Sequence, residues 1–206
     1  MRQEQISTLK GIAEERKYGW GINHAEQVNR LALRLYDHLL QVGMLEHVAG
    51  DRELLSAAAF LHDIGLPTEP HNEVAFKMLS QKIPGRMGSE ELSREELSIL
   101  LYCVLFHRDH DFSGRKEVPL VEPARTKRLA GILRIADGLD HGPPFDAAVE
   151  EVSVKKLGSA IVCQVKPSSE AVKDRVRGYI RHVRDAKIDL FQNAFGHDMD
   201  FEILDL

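Results

Sequence analysis

The sequence has few of the features that mark secreted, membrane-spanning or nucleic-acid-binding proteins. Only two of its 206 residues are cysteines, and Cys103 and Cys163 lie in apolar stretches without metal-type spacing, so we expect buried, reduced thiols. No apolar run approaches the roughly 18 residues of a membrane-spanning helix, and the first residues lack the apolar core of a signal peptide. The net charge of −5 disfavours a general nucleic-acid binder. We therefore expect a cytoplasmic protein without membrane or nucleic-acid partners.

Apolar residues make up 43% of the chain, which is enough for a substantial core, and their spacing changes near residue 148. Before that point they recur every three or four residues, as in helices that bury one face. After it they alternate, turn at Gly158 and alternate again, which indicates a hairpin, and a long helix and a final strand follow. We expect a mainly α fold, with a helical domain over residues 1–147 and a small α+β subdomain over residues 148–206.

Capping and breaking residues refine the predicted elements. Asp51 is expected to cap one helix, and Ser93 with Glu96 to form a capping box for another. Gly65 is expected to end the helix before it as a left-handed cap. The polar connection at residues 109–123 is a candidate mobile flap over a site. The predicted helices span about residues 4–16, 23–42, 51–64, 70–82, 93–107, 126–139 and 168–195, with strands near 149–154, 160–165 and 199–204.

The most distinctive stretch is Leu61-His62-Asp63-Ile64-Gly65, at the end of an apolar helix. His62 follows Ala58 by one helical turn and Leu55 by two, so its side chain should lie on the buried face. One interpretation is that the histidine gives a ring nitrogen and Asp63 an oxygen to one metal ion. The plain structural alternative is a hydrogen-bonded core histidine beside a solvated aspartate. Other residues of the chain decide between the two.

Two further polar residues fall on apolar helical faces. His24 lies one turn before the apolar stripe of its helix, either as a metal ligand or as a partly exposed first-turn histidine. Asp137 lies one turn after Leu133, where burying a carboxylate is costly unless it is paired or bound to a metal. Arg134 and Lys127 are the alternative partners for this carboxylate.

Helices that pack through their apolar faces would bring four candidate ligands together: His24, His62, Asp63 and Asp137. Two histidines and two carboxylates form a mixed nitrogen and oxygen site that suits Mn²⁺, Fe²⁺, Ni²⁺, Zn²⁺ or Mg²⁺. On an ion that prefers six ligands, positions remain for water and a substrate oxygen. Such an ion would activate the water and polarise a phosphoryl group, so the site suits hydrolysis of a phosphoester or phosphoanhydride.

In this order and context the four residues resemble the motif of the HD-domain superfamily of metal-dependent phosphohydrolases. The motif is a histidine, then a His-Asp pair, then an aspartate. The matching contexts are Asn23-His24-Ala25, Leu61-His62-Asp63-Ile64-Gly65 and Arg134-Ile135-Ala136-Asp137. The resemblance covers about residues 16–141 and implies an HD-type helical bundle around a divalent metal in a cytoplasmic enzyme. Asp63 would then bind the metal and also help to orient the attacking water.

More narrowly, the chain is similar to the C-terminal HD portion of exopolyphosphatase and guanosine pentaphosphate phosphatase proteins. This similarity rests on residues 55–65 and 132–140 and on the closing Ala194-Phe195-Gly196. The actin-like N-terminal domain that carries polyphosphate chemistry in those longer proteins is absent, so that activity should not be transferred. In those proteins the HD portion can also serve binding or regulation, so turnover does not follow from the resemblance alone.

His71 and His107 resemble the extra histidines of two-metal members of the superfamily. Each could hold a second ion, contact the substrate or lie at the surface, and we also consider His107 a candidate catalytic residue. Arg108 beside it is a candidate for binding phosphate. The subclass that cleaves cyclic dinucleotides carries an adjacent histidine pair and a Gly-Tyr-Pro motif. Here residues 109–114 follow His107-Arg108 without that motif, which argues against such a substrate.

Positive charge elsewhere has two interpretations. Arg134 could grip a phosphate or pair with Asp137. A stripe of basic residues on the C-terminal helix could be a polyanion track, or a solvated face paired with acidic neighbours such as Asp174 and Asp185. The stripe consists of Lys173, Arg177, Arg181 and Arg184.

Three functions fit this sequence. The first is a metal-dependent phosphohydrolase that acts on a small phosphorylated, nucleotide-like substrate with one or two divalent ions. The second is a metal- and nucleotide-binding regulatory module without turnover. The third is a helical scaffold without bound metal. A homodimer is conceivable, because the small C-terminal subdomain could either cap the site or build an interface.

Overall fold

The computed structural model describes residues 3–14, 21–87, 92–108, 111–158 and 160–206. Within these ranges the chain is mainly helical, with eight α-helices and a three-stranded sheet near the C-terminus, which confirms the predicted fold class. The helices are α1 (Gln3–Glu14), α2 (Gly21–Gln41), α3 (Asp51–Leu61), α4 (His71–Met87), α5 (Arg94–Phe106), α6 (Pro123–Gly138), α7 (Lys173–Ala186) and α8 (Asp189–Phe195). The strands are β1 (Val149–Leu157), β2 (Ala160–Pro167) and β3 (Met199–Ile203), and a 3₁₀ turn (Glu170–Val172) precedes α7.

Helix α3 lies at the centre of the bundle and packs against α1, α2, α5 and α6. Its C-terminal half contains three fully buried alanines at 57–59, whose small side chains let several helices approach the same segment. Leu54, Leu55 and Leu61 fill the space around them and are also fully buried. The segment that follows α3 therefore starts inside the bundle, and it begins with His62.

Helix α5 is buried along most of its length and delivers His107 to the same end of the bundle. Its start is fixed by the predicted capping box, in which Ser93 Oγ accepts from the backbone N–H of Glu96 while the Glu96 carboxylate accepts from the N–H of Ser93. Residues 98–106 are all buried, so the helix cannot rotate without exposing apolar surface. This packing fixes the direction in which His107 leaves the helix.

The C-terminal elements pack onto the helices through one continuous core. Strand β2 pairs antiparallel with β1 and parallel with β3, giving the order β1-β2-β3. Gln27 and Arg30 of α2 donate to the carbonyl of Val149 at the start of β1. Helix α8 lies against α6 at Gly131, where an added β carbon would be 3.1 Å from the Cα of Phe191. The predicted boundary between residues 147 and 148 stays a prediction.

Two predicted caps are wrong. Helix α3 starts after Gly50, whose backbone is left-handed, and Asp51 does not cap it but forms a buried ion pair with Arg125 at 2.6 Å. Gly65 is not left-handed, and α3 already ends at Leu61. A glycine is required at 65 for space, because a β carbon there would lie 2.0 Å from the carbonyl oxygen of His71.

Several predicted boundaries also move. The single C-terminal helix expected over residues 168–195 is divided into α7 and α8 at Lys187 and Ile188. The buried guanidinium of Arg134 donates to the carbonyl oxygens of Ala186 and Lys187. The helix is interrupted there because these oxygens bond to the arginine. Helix α4 continues through Pro84 to Met87, beyond the end predicted at residue 82. Residues 15 and 16 of the first predicted helix lie outside the described residues.

Two predictions from composition can be compared with the fold. Cys103 and Cys163 are buried and unpaired, as expected. None of the helices in the described ranges combines the length and apolar character that crossing a bilayer would require. The predicted cytoplasmic location and the possible homodimer stay predictions.

Candidate metal centre

Three buried side chains from three different helices converge at one end of the bundle. His24 comes from the first turn of α2, His62 from the residue after α3, and Asp137 from the last turn of α6. The two Nε2 atoms are 3.2 Å apart, and they lie 3.3 and 3.6 Å from Asp137 Oδ1. We call these three residues the inner group.

A second cluster lies directly beside the first and consists of Asp63, His71 and His107. The Nε2 atoms of His71 and His107 are 3.2 Å apart, and they lie 3.0 and 3.6 Å from Asp63 Oδ1. His71 opens α4 and His107 follows α5, so these ligands come from the turn after α3 and from two further helices. We call these three residues the outer group.

The Asp63 carboxylate connects the two groups. Its Oδ1 faces the two histidines of the outer group, whereas its Oδ2 lies 3.7 Å from His24 Nε2 and 3.5 Å from His62 Nε2. The predicted quartet of His24, His62, Asp63 and Asp137 therefore comes together, and His71 and His107 join it. The surface position considered for His71 and His107 is wrong, because both are buried.

The orientation of the rings provides a test of whether these residues fit a metal. The Nδ1 atoms of His62 and His107 lie 2.8 and 2.5 Å from the carbonyl oxygens of Ala59 and Val104, to which only an N–H can donate. In a neutral ring the lone pair is then on Nε2, the atom that faces the other group members. His24 Nδ1 likewise faces Asp140 Oδ2 at 2.8 Å, so in the inner group two Nε2 lone pairs would meet at 3.2 Å unless a shared cation or proton lies between them.

The spacing of the donor atoms fits a shared ion. Ligands bound at about 2.1 Å to one tetrahedral or octahedral ion are roughly 3.0 to 3.4 Å apart. The Nε2 and Oδ1 separations of 3.0 to 3.6 Å in both groups are close to this range. Mixed nitrogen and oxygen donors suit the divalent ions Mn²⁺, Fe²⁺, Ni²⁺, Zn²⁺ and Mg²⁺. The donor sets of both groups therefore fit divalent ions.

Without an ion the two groups differ in protonation. Burial alone would lower the pKa of His24, but its hydrogen bonds to Asp137 and Asp140 outweigh burial and raise the pKa to about 10. Burial lowers the pKa of His107 to about 4, although Asp63 opposes the shift. Burial would raise the pKa of Asp137, yet Lys187 and the nearby histidines hold it well below its usual range. A proton therefore compensates the inner group, and His107 of the outer group is neutral.

The sequence profile of the HD domain family matches residues 21–142, more than half of the chain. The chain belongs to the HD domain family. Proteins of this family are generally metal-dependent hydrolases within a superfamily of phosphohydrolases. The matched HD domain runs from α2 to the residues just after α6 and so contains every member of the inner and outer groups. No curated protein matches the sequence.

Two residues beside the HD motif were not anticipated. Asp140 is almost fully buried, and its Oδ2 lies 2.8 Å from His24 Nδ1, so it orients the ring from behind. Lys187 lies outside the matched HD domain, and its Nζ is 2.6 Å from Asp137 Oδ2. Asp140, three positions after Asp137, could have been suspected from its spacing. Nothing in the local sequence indicates Lys187, because its approach depends on the break between α7 and α8.

The predicted alternative partners of Asp137 are not its partners. Arg134 is fully buried but donates to Asp189 and to the carbonyl oxygens of Phe106, Ala186 and Lys187. Lys127 lies over the ring of Phe112, with its Nζ 5.9 Å from the centroid. Arg134 therefore cannot grip a phosphate, because its donors are used inside the protein.

Arg108 is half-exposed at the edge of the outer group. Its Nη1 lies 3.0 Å from both carboxylate oxygens of Glu69 and 2.7 Å from His71 Nδ1. Glu69 also accepts from the backbone N–H of His71 at 3.2 Å. Burial would raise the pKa of Glu69, but its hydrogen bonds with His71 and Arg108 outweigh burial and lower the pKa to about 2. The guanidinium thus lies where an incoming anion could exchange with Glu69.

Both groups face one cavity of about 480 Å³. Its lining includes metal-capable residues of both groups and two cationic side chains, Arg108 and Lys187. The lining also contains Leu66, Pro143, Phe145 and the stacked rings of His141 and His182, and the Phe145 ring lies 4.9 Å from the ring of His24. Such a cavity has the size and mixed lining of a small-molecule site.

Two peripheral predictions find no support at this cavity. None of the described residues between 111 and 122 lines it, and this connection instead lies on α5, where Tyr102 donates to the carbonyl of Val118 at 2.6 Å. Residues 109 and 110 of the predicted flap lie outside the described residues. The basic stripe on α7 borders a separate groove with Phe201 and Ile203, and Arg177 pairs with Asp174, as the solvated-face interpretation expects.

Proposed function

We propose that this HD domain protein is a metal-dependent phosphohydrolase that acts on a small, nucleotide-like phosphoester or phosphoanhydride. One observation carries the proposal: two metal-capable groups joined by Asp63 open onto a single cavity that also contains Arg108 and Lys187. Divalent cations and fixed positive charge around one small cavity are what transfer of a phosphoryl group to water requires.

The inner group with Asp63 would hold one ion, and the outer group would hold a second. Divalent ions at these positions would supply Lewis-acid activation of water and of the phosphoryl group. Asp63, with an oxygen toward each group, would orient the attacking water. His107 Nδ1 donates to the carbonyl oxygen of Val104, and its Nε2 faces His71 and Asp63, so we propose His107 as a metal ligand rather than as a proton donor.

Arg108 is our candidate for the first contact with substrate. Its guanidinium lines the cavity and is bonded to Glu69 and His71 at the edge of the outer group. An arginine offers paired donors that match two oxygens of a phosphate. A substrate phosphate could therefore replace the Glu69 carboxylate on Arg108 as it enters.

The apolar and aromatic residues in the cavity lining support a nucleotide-like substrate over a bare phosphate chain. The rings of His141 and His182 are stacked at 3.8 Å with an interplanar angle of 13°, and Pro143 and Phe145 line the same cavity. Flat rings and apolar side chains favour a planar aromatic group. A linear polyphosphate would leave these side chains without a partner, so we do not transfer polyphosphate hydrolysis from the narrower similarity to exopolyphosphatase and guanosine pentaphosphate phosphatase proteins.

The experiment is hydrolysis of a substrate panel by the full chain, first stripped with a chelator and then loaded with Mn²⁺, Mg²⁺, Ni²⁺ or Zn²⁺. We expect phosphate or nucleoside release from nucleotides and slower turnover of pyrophosphate and polyphosphate. Asp137→Asn should abolish turnover, whereas Asp185→Asn, at an exposed carboxylate outside the cavity, should leave it unchanged. Tight nucleotide binding without product under every metal would favour the regulatory module. Full metal content in Asp137→Asn would contradict the assigned ligands.

A further inference from the structure

Lys187 is the one cation that the C-terminal subdomain places in the metal centre of the described chain. It lies at the junction of α7 and α8, is only 8% exposed and lines the cavity. Its Nζ lies 2.6 Å from Asp137 Oδ2 and 3.2 Å from the carbonyl oxygen of His107. An ammonium group has three N–H donors, so one donor remains for a ligand in the cavity.

The position of Lys187 is fixed by close packing of the junction on α6. A β carbon on Gly138 would lie 2.7 Å from Val183 Cγ2 and 3.2 Å from Lys187 Cγ, so only glycine allows this approach. Arg134 then donates to the carbonyl oxygens of Ala186 at 3.0 Å and Lys187 at 3.1 Å. The backbone that carries the ammonium group is therefore tied to the same helix that carries Asp137.

The two oxygens of Asp137 face different partners. Oδ1 faces His24 and His62, the other members of the inner group, while Oδ2 accepts from Lys187. The carboxylate can therefore take part in an inner ion site and keep its bond to the ammonium group. Lys187 holds Asp137 in the orientation that the inner group requires.

The charge balance of the loaded centre calls for an anion. Three carboxylates surround the two groups, those of Asp63, Asp137 and Asp140, whereas Arg108 is already paired with Glu69. Two divalent ions would outweigh these carboxylates, and Lys187 adds one more positive charge in a partly enclosed cavity. A phosphoryl group with two negative charges would neutralise the excess.

We propose that Lys187 is a catalytic residue that binds a phosphoryl oxygen of the substrate, so that the C-terminal subdomain completes the site of the HD domain. This inference rests on the proposed function for the identity of the ligand. It extends the site beyond residues 21–142, which the family match covers.

The test measures binding of inorganic phosphate by titration calorimetry to the full chain loaded with Mn²⁺, alongside metal content by elemental analysis. In Lys187→Gln the amide can still donate to Asp137 Oδ2, but the positive charge is lost. We expect wild-type metal content and a phosphate Kd raised roughly 10- to 100-fold, the loss expected for one charge-assisted hydrogen bond. The matched control is Lys173→Gln, at a lysine of α7 that is bonded to Asp205 outside the cavity and should leave the Kd unchanged.

A phosphate Kd in Lys187→Gln equal to that of the wild type would overturn the proposal, as would a loss of phosphate binding that only follows lost metal. If the glutamine variant does not fold, Gly138→Ala displaces the intact lysine. At a Mn²⁺ concentration that restores the wild-type metal content, this variant should still bind phosphate more weakly. The outcome is independent of turnover. Lys187-dependent phosphate binding without hydrolysis would contradict the proposed function alone, and hydrolysis with phosphate binding independent of Lys187 would contradict this inference alone.

Discussion

The inner and outer groups contain the same kinds of donor at similar spacings, but they are built differently. The inner group lies at the ends of helices whose apolar faces share the core, and its members are at most 8% exposed. The outer group depends on the turn after α3, and its neighbours Glu69 and Arg108 form a partly exposed ion pair. Bundle packing therefore preorganises the inner group, while the outer group is shaped by a turn and a surface contact at the substrate side.

Because the groups are built differently, we expect the two ions to differ in affinity and in role. The inner ion should bind more tightly, because its ligands cannot move without disturbing the core. The outer ion should exchange more easily and lie nearer the incoming substrate, beside Arg108. The predictions below break one group at a time and begin with the largest expected effect.

The largest effect is expected for Asp63→Ala, because this carboxylate faces both groups. Turnover should fall on the order of a thousandfold, equivalent to about 4 kcal/mol of transition-state stabilisation. Metal content should fall at both groups. Elemental analysis and steady-state kinetics measure the two effects, and retention of two ions with normal turnover would show that Asp63 does not connect the groups.

Gly65→Ala should break the outer group and leave the inner one intact. The added β carbon would lie 2.0 Å from the carbonyl oxygen of His71, so the start of α4 must move away from Asp63. We expect a loss of about 1 to 3 kcal/mol in the free energy of unfolding, as for other overpacked sites, and one bound ion instead of two. Urea unfolding and metal analysis test this, with Gly85→Ala as control because no atom lies within 4 Å of the added carbon. Equal loss of both ions would contradict the separation.

Asp140→Asn should weaken the inner group alone. Asp140 orients His24 through its Nδ1 at 2.8 Å, and removing such a supporting carboxylate typically costs 10- to 100-fold in metal affinity. Competition with a chelating dye measures the affinity of each ion. Weakening of the outer ion instead would contradict the assigned support.

Metal binding should release a proton from the inner group but not from His107. With a pKa of about 10, the ring of His24 is protonated at pH 7 and must lose its proton to bind an ion. The inner affinity should therefore rise as the pH increases from 6 toward 9. His107, with a pKa of about 4, is already neutral there. Calorimetry in buffers of different ionisation enthalpy should detect the release of about one proton for each inner ion bound. Binding of the inner ion without proton release would contradict this account.

The smallest effect is expected for Glu69→Gln. This change removes the acidic partner of Arg108 and one neighbour of His71 Nδ1. Because the pair is largely exposed, only a several-fold change in KM is expected, with the inner ion unaffected. A freed Arg108 should lower KM for the phosphorylated substrate, and a large loss of kcat would indicate that Glu69 has a chemical role.

Sequence reasoning succeeded where a residue's position follows from helical periodicity. His24, His62 and Asp137 fall on apolar faces, so their convergence follows once the faces pack. His71 could be proposed only by resemblance, because its position depends on the close contact at Gly65.

Long-range contacts set the limit of that reasoning. The approach of Lys187 requires Gly138 and the carbonyl oxygens captured by Arg134, which interrupt a segment with otherwise continuous helical periodicity. Asp51, which the sequence predicted to cap α3, instead forms a buried ion pair with Arg125, 74 positions away. In both cases a distant partner outweighed the local preference.

The central claim is that two neighbouring divalent ions share Asp63. The most direct measurement is anomalous diffraction at the manganese edge from crystals of the full chain soaked in Mn²⁺. The account predicts two anomalous peaks, one among His24, His62 and Asp137 and the other among His71, His107 and Asp63, with Asp63 in contact with both. A single peak outside these groups, or no peak at saturating Mn²⁺, would contradict it.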